Sequence, residues 1–266
     1  MDYATLVELY GELDSTTKRL AKIKYLADFI KTIPAKEMQQ VVLLLQGRVF
    51  AAWDDRKIGI ASRLVLKALH TATGADISAI EKVWKKTGDL GDAAEQLIAK
   101  KQQATLFSQS LKVGKVVDNL QKLSTLEGHG TVAKKLQLIA ELLTSATPAE
   151  AKYVIRTLLE DLRVGVGEGN FRDAIVWAFF GKGLVKYDAK KHDIEVEDRE
   201  EYNRVVGVVQ RGYDLTNDFA EVIVEAKKGG LSGIQSLGIT VGKPLKVMLA
   251  LKVDGLAEGF DRCGEI

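Results

Sequence analysis

Leu162-Arg163-Val164-Gly165-Val166-Gly167-Glu168-Gly169 joins the end of one helical pattern to the start of another. An earlier stretch, Arg56-Lys57-Ile58-Gly59-Ile60-Ala61-Ser62, also leads into an apolar helical pattern. We call the earlier stretch link 1 and the later one link 2. Shifted by 106 positions, the two links align a cation, an aliphatic residue and a glycine: Lys57 with Arg163, Ile58 with Val164, and Gly59 with Gly165.

Each link has the features of an anion-binding loop. Glycine allows close backbone approach and left-handed dihedral angles. A helix that starts just after the loop presents unpaired N–H groups and a partial positive charge. With one Lys or Arg beside it, such a loop favours a phosphate group. The alternative is that both links only turn the chain between packed helices, but two copies that each keep a cation favour a pair of phosphate contacts.

Composition indicates a globular protein with local rather than global charge. The 266 residues are 46% hydrophobic and 28% charged, and the formal net charge is +2. Such a balance does not by itself indicate a polyanion partner. Residues 112–135 nevertheless hold five lysines against two acids, and residues 192–202 hold six acids against one arginine.

The single cysteine, Cys263, excludes an internal disulfide and a cysteine-built zinc site. The sequence shows no signal peptide and no long apolar segment, so no membrane partner is expected. We therefore expect a cytoplasmic protein, or a nuclear one if the source is eukaryotic.

Helical periodicity and only three prolines predict an all-α fold. Gly74 and Gly88 are predicted to end helices, and Thr147-Pro148-Ala149-Glu150 predicts a capping box at a helix start. A helix over 217–228 is expected to close at Gly229-Gly230. The first strand-like pattern is at 245–249. Helices are predicted over 3–13, 17–32, from Pro34 through Leu45, and over 61–73, 76–86, 91–101, 198–211 and 217–228.

The sequence also predicts an internal pseudo-twofold duplication. The segment 135–143 resembles 22–30, and Pro148 occupies the place that Pro34 has in the first copy. The first copy is longer, which we assign to an insertion over 49–56. The expected repeats cover about 15–74 and 128–181.

Several stretches of the sequence, read in order, carry a family resemblance. They are Trp53 to Ile60, Thr87 to Gly91, Gly128 to Lys135, Glu150 to Tyr153, Arg163 to Gly165 and Gly242 to Ala250. Together they resemble the N-terminal DNA-binding domain of ATP-dependent DNA ligases of the archaeal and eukaryotic replicative type. The resemblance implies an all-helical domain that grips nicked duplex DNA across the minor groove, so that the parent enzyme can seal nicks in replication, repair and recombination. It implies ATP and Mg for the parent enzyme and no cofactor for these 266 residues, which alone should be inactive.

On this resemblance, residues 1–240 form the DNA-binding domain and 241–266 begin an incomplete adenylation domain. Asp161 stands where the family often has a second cation. For Lys134 and Lys135 the alternative is a solvated helix face, and His129 fits a turn residue better than a metal ligand. The residues expected to touch DNA are Lys57, Gly59, Thr131, Lys134, Lys135, Arg163 and Gly165.

Lys252-Val253-Asp254-Gly255 has the form of the ligase nucleotidylation motif, in which lysine attacks the ATP α-phosphate. The family has an acid two residues before that lysine and an arginine two after the glycine, but here Ala250 and Ala257 occupy those places. We therefore interpret the match as chance and assign no catalytic residue and no metal ligand. A nucleotidyltransferase that uses Lys252 and a helical scaffold that binds only proteins remain the alternatives.

The stretch from Lys100 to Ser108 resembles the sliding-clamp-binding peptide that archaeal ligases carry in this domain. Gln103 would make polar contacts, while Leu106 and Phe107 would enter an apolar pocket on the clamp. In the alternative interpretation, Leu106 and Phe107 pack into the core of the domain itself.

Overall fold

The computed structural model describes residues 1–100, 110–128, 130–246 and residue 260. Within these residues the regular secondary structure is almost entirely helical, which confirms the all-α prediction. The first half contains α1 Tyr3–Asp14, α2 Arg19–Thr32, α3 Met38–Leu45, α4 Ser62–Thr73, α5 Ile77–Thr87 and α6 Leu90–Ala99. The second half contains α7 Val113–Thr125, α8 Thr131–Ser145, α9 Pro148–Leu158, α10 Glu168–Phe179, α11 Arg199–Thr216 and α12 Phe219–Gln235.

Local capping explains several helix ends that the sequence predicted. The Thr147 side chain accepts the backbone N–H of Glu150, whose carboxylate accepts the N–H of Thr147, so the capping box before α9 is confirmed. Gly74 and Gly88 end α4 and α5 with φ values of 73° and 71°, a left-handed conformation that favours glycine.

The predicted helix end at Gly229-Gly230 coincides with a break in α12. Gly230 adopts φ 59° and ψ −143°, outside the helical region, so two helical segments meet at a kink there and the second continues to Gln235. Ile234 of the second segment is buried in the core.

The helices pack in two equivalent sets, α1–α6 and α7–α12. Helix α2 packs against α10, and α8 packs against α4 in the same way. Likewise α1 contacts α9 while α7 contacts α3, and α6 contacts α9 while α12 contacts α3. The pairs α4–α5 and α5–α6 correspond to α10–α11 and α11–α12. Each half thus places its second helix on the fourth helix of the other half.

A matching corner precedes the last helix of each half. In Thr87-Gly88-Asp89, the Thr87 hydroxyl donates to the Asp89 carbonyl at 2.9 Å, and Asp89 caps α6. In Thr216-Asn217-Asp218, the threonine hydroxyl donates to the Asp218 carbonyl at 3.3 Å, and Asp218 caps α12. The central Gly88 and Asn217 are both left-handed, with φ 71° and 51°. The correspondence between the halves therefore extends beyond the links.

One antiparallel hairpin, β1 Val185–Asp188 and β2 Asp193–Val196, lies between α10 and α11, where the first half has only a short turn. The sequence analysis did not predict it. Half-buried residues alternate with exposed ones along both strands, and the Tyr187 ring packs 5.8 Å from that of Trp177. Four residues of alternation within a charged segment are too short a pattern to indicate a strand.

The two halves share one continuous apolar core. Tyr10 and Tyr153 meet across it with ring centroids 4.8 Å apart, and Phe219 stacks on Tyr213 at 3.8 Å. In the described ranges, every helix is either too short or too polar to traverse a lipid bilayer.

Candidate nucleic-acid interface

The two links have the same local backbone at their aligned glycines. Gly59 and Gly165 both adopt φ 63°, a conformation that side chains rarely tolerate. Link 1 leads into α4 and link 2 into α10. No side-chain cap is formed by Ala61 at the start of α4, so the first N–H groups of that helix keep their capacity to bind an anion.

The links lie side by side. The Ile58 backbone N–H donates to a carboxylate oxygen of Glu160, just before link 2, at 3.4 Å. A single open depression is lined from link 1 by Ile60, Ala61 and Ser62 and from the other side by Asp161 and Arg163. The packing of α2 on α10 and of α8 on α4 therefore brings the two predicted anion sites onto neighbouring parts of the surface.

Arg163 is exposed but already paired with carboxylates of its own chain. Its Nε lies 2.7 Å from Asp161 Oδ2, and its Nη1 lies 3.0 Å from Asp89 Oδ2. The hydrogen bond to Asp161 raises the pKa of the Arg163 guanidinium further above its usual value. The acid that stands in place of the family's second cation thus neutralises the neighbouring arginine.

A buried ion cluster lies beneath Arg163. Arg156, whose side chain is 7% exposed, contacts Asp14, Asp89 and Asp92 at 3.2 to 3.3 Å. Burial alone would lower the pKa of Arg156, but these carboxylates outweigh it and raise the pKa. Because Asp89 contacts both arginines, it connects the buried cluster to the surface side chain at link 2.

The acids of this cluster do not suit a metal ion, since their oxygens face Arg156 and Lys152. Among the described residues, no group of three His, Cys, Asp or Glu side chains has the arrangement of a metal site.

The lysines predicted at link 1 and on α8 belong to neighbouring elements, since link 1 leads into α4 and α8 packs against α4. Lys57 and Lys134 are exposed, and Lys135 is half-buried. Thr131 begins α8 after left-handed Gly130, and its hydroxyl donates to the Gly128 carbonyl at 2.8 Å. No described carboxylate forms an ion pair with any of the three lysines.

The sequence analysis missed Lys22 as a site residue. Lys22 lies on α2, is only 9% exposed, and donates from Nζ to the Val164 carbonyl of link 2 at 2.5 Å. Its neighbour Arg19 pairs with Asp173 of α10 at 2.7 Å. The resemblance of residues 22–30 to residues 135–143 aligns Lys22 with Lys135, a predicted DNA contact. This alignment could have identified Lys22 as a site residue.

The start of α10 carries an acid that α4 lacks. Glu168 accepts a hydrogen bond from the Tyr213 hydroxyl at 2.9 Å and pairs with Lys246. Burial would raise the pKa of Glu168, but the hydrogen bonds from Lys246 and Tyr213 lower it. The two helix starts therefore differ in charge although the glycines of the preceding links share the same φ.

Other predicted positions fall outside the described residues. These are His129, the nucleotidylation-like Lys252, and the clamp-binding positions Gln103, Leu106 and Phe107.

Comparison with known proteins adds an independent result. The family model described as DNA ligase N terminus matches residues 2–176. The chain is 38% identical over 264 residues to a DNA ligase of Methanobrevibacter smithii, covering 99% of this chain and 44% of that protein. It is 37% identical over 250 residues to a DNA ligase of Thermococcus fumicolans, covering 94% and 41%. It is 35% identical over 264 residues to a DNA ligase of Nanoarchaeum equitans, covering 99% and 42%. The chain thus spans less than half the length of these relatives.

Proposed function

Because this chain belongs to the DNA ligase N-terminus family, we propose that it is the part of an ATP-dependent DNA ligase that grips nicked duplex DNA. Its contacts are to the sugar-phosphate backbone and the minor groove, so that binding does not depend on base sequence. The whole enzyme, with ATP and Mg, then seals the nick in replication, repair and recombination. The protein is of the archaeal type and acts in the cytoplasm.

The observation that carries this proposal is the adjacent placement of two links with the same glycine conformation, each followed by a helix start. Two phosphates on neighbouring turns of the DNA backbone would then be bound by main-chain N–H groups and lysine side chains of the protein. The DNA-contact set comprises Lys57, Gly59, Thr131, Lys134, Lys135, Arg163 and Gly165.

The pseudo-twofold duplication is part of the same proposal. The equivalent helix contacts and the matching corners at Asp89 and Asp218 support repeats longer than 15–74 and 128–181. We assign residues 1–240 to one DNA-binding unit and 241–266 to the start of an adenylation domain. A duplicated module suits a duplex because the two backbones of DNA are themselves related by local twofold axes.

The test is binding of the 266-residue chain to a short duplex with one central nick, measured by fluorescence anisotropy. Affinity should fall steeply between about 50 and about 200 mM salt and should be similar for unrelated sequences. The control is Lys24→Ala on α2, because Lys24 pairs with Asp28 of the same helix and should leave affinity unchanged. Absence of binding to nicked DNA at low salt would favour the protein-binding scaffold instead.

Adenylation is expected to require other parts of the enzyme. The chain alone should not become labelled when incubated with ATP radiolabelled at the α-phosphate and Mg. A covalent label that is lost in Lys252→Ala would establish the nucleotidyltransferase alternative.

Clamp binding is proposed from the sequence of residues 100–108 alone. Pull-down of the chain by an archaeal sliding clamp should be lost in the double variant Leu106→Ala and Phe107→Ala and weakened in Gln103→Ala. If the double variant instead loses thermal stability and keeps clamp binding, the two side chains belong to the core.

A further inference from the structure

We propose that Lys22 is an additional DNA-backbone contact, whose ammonium binds a phosphate oxygen at link 2 through the opening left by Gly165. This inference rests on the proposed function and adds to it a residue of the opposite half of the molecule. Lys22 lies on α2, far from link 2 in sequence but in direct contact with it.

The ammonium of Lys22 is buried without an opposite charge. An ammonium group has three N–H donors, and the described residues supply one acceptor, the Val164 carbonyl. No described carboxylate forms an ion pair with it, although the residue is only 9% exposed. Burying a cation without an anion is costly.

Two cations of the nearby ion cluster show the usual arrangement. Buried Arg156 contacts three carboxylates, and half-buried Lys152 also contacts three, with Asp92 nearest at 2.9 Å. Lys22 therefore differs from them in what surrounds it. An anion from outside the chain would complete its surroundings in the way that carboxylates do for Arg156.

The position of Gly165 gives such an anion access. Gly165 is exposed, and a Cβ atom built on it would lie 2.7 Å from the Lys22 Nζ. The ammonium therefore lies directly beneath the surface at this glycine, and any larger residue would cover it. A phosphate oxygen that approached the Gly165 backbone would come within hydrogen-bond distance of the ammonium.

The charge at link 2 also points to Lys22. Arg163 is neutralised by Asp161 and Asp89, so little of its positive charge remains for DNA. In the other half, Lys135 is the sequence counterpart of Lys22, but a Cβ atom built on Gly59 would meet no lysine side chain. The lysine beneath the glycine is therefore particular to link 2.

The experiment compares Lys22→Met with Lys24→Met in the 266-residue chain, using nicked duplex DNA and a series of salt concentrations. Methionine keeps the length and apolar stem of lysine but removes its charge. Lys22→Met should weaken binding roughly tenfold at about 0.1 M salt, because it removes a hydrogen bond to a charged group. It should also reduce the salt slope by about one unit. Lys24→Met should change neither quantity by as much as twofold, since Lys24 is exposed and pairs with Asp28.

An unchanged salt slope in folded Lys22→Met would overturn the inference, because a purely structural hydrogen bond to Val164 changes stability but not the number of phosphates neutralised. An equal loss of slope in Lys24→Met would also overturn it. If thermal melting shows that Lys22→Met is unfolded, Lys22→Gln, which keeps an N–H donor for Val164, is judged by the same slope. Failure of the wild-type chain to bind nicked DNA would instead reject the proposed function itself.

Discussion

Replacing Asp161 by Asn should make the domain bind nicked DNA more tightly. Asp161 holds the Arg163 guanidinium through contacts of 2.7 Å from both Nε and Nη2. A phosphate that binds Arg163 must compete with this carboxylate and tolerate its negative charge. Asparagine has nearly the same shape and can still accept a hydrogen bond, so the substitution removes the charge and little else.

The size of the effect follows from two contributions. A phosphate on the far side of the guanidinium would lie about 6 to 7 Å from Asp161, where repulsion in water is about 0.6 kcal/mol and about half that at 0.1 M salt. The exposed ion pair that the phosphate must displace contributes about 0.2 to 1 kcal/mol. The sum, about 0.5 to 1.3 kcal/mol, corresponds to roughly two- to ninefold tighter binding.

Anisotropy titrations of Asp161→Asn and the parent chain on the same nicked duplex measure this directly, and the gain should be larger at lower salt. Asp28→Asn is the matched control, because Asp28 is an exposed acid that pairs with Lys24 away from the links. In an Arg163→Ala background, Asp161→Asn should have a smaller effect. Unchanged or weaker binding by Asp161→Asn would refute the view that this acid restrains Arg163.

Four further outcomes are expected. Arg163→Ala should weaken binding to unrelated sequences about equally, as measured on two duplexes, and should reduce the salt slope by less than one unit, because Asp161 and Asp89 already offset much of the charge of Arg163. Arg156→Met should lower the free energy of unfolding in urea by about 3 to 5 kcal/mol, because it removes the buried cation that contacts Asp14, Asp89 and Asp92 and leaves buried Asp89 with only the exposed Arg163 as a partner. Gly91→Ala should cost about 1 to 3 kcal/mol in the same assay, since its Cβ would lie 2.8 Å from the Arg156 side chain. Glu168→Gln should lower the free energy of unfolding at neutral pH, because the depressed pKa of Glu168 means that its charged form stabilises the fold. In urea titrations, the difference in this free energy between the variant and the wild type should shrink as the pH falls below about 4.5.

The parts of the fold that the sequence predicted depend on local physical chemistry. The capping box before α9 and the glycine ends of α4 and α5 need only a few neighbouring residues to be recognised. The links were recognised for the same reason, since a cation and a glycine with positive φ lie within three positions of each other.

The parts that it missed depend on contacts between distant residues. The helical segment that follows the break at Gly230 packs through buried Ile234, a tertiary contact that the local sequence does not indicate. The β1–β2 hairpin is held by packing of Tyr187 on Trp177, which no four-residue pattern reveals. Lys22 was overlooked because its partner, Val164, is 142 positions away in the sequence.

The sequence predicts only part of the repeat, because the hairpin shifts the alignment between the two halves. The links differ by 106 positions, but the corners at Asp89 and Asp218 differ by 129, since α10 and α11 are separated by the hairpin and α11 is longer than α5. The central residue of the corner is Gly88 in the first half and Asn217 in the second, so the left-handed conformation is shared but the residue type is not. Conformation is kept here by two different residues that tolerate it.

The two links share the φ value of their aligned glycines, but they differ in charge and in the backbone at the aligned cation, where Arg163 is left-handed at φ 59°. Lys57 is exposed and no described carboxylate pairs with it, whereas Arg163 is fixed by Asp161 and Asp89. An exposed lysine attracts phosphate at a distance but does not fix its position, and an arginine held by two acids is oriented but nearly neutral. On the proposed function, link 1 should therefore govern the rate at which the protein encounters DNA and the salt dependence of that rate. Link 2 should govern the position of the protein along the duplex once the duplex is bound. Such a division suits a nicked duplex, in which the continuous and the broken strand are not equivalent even though the double helix is locally twofold.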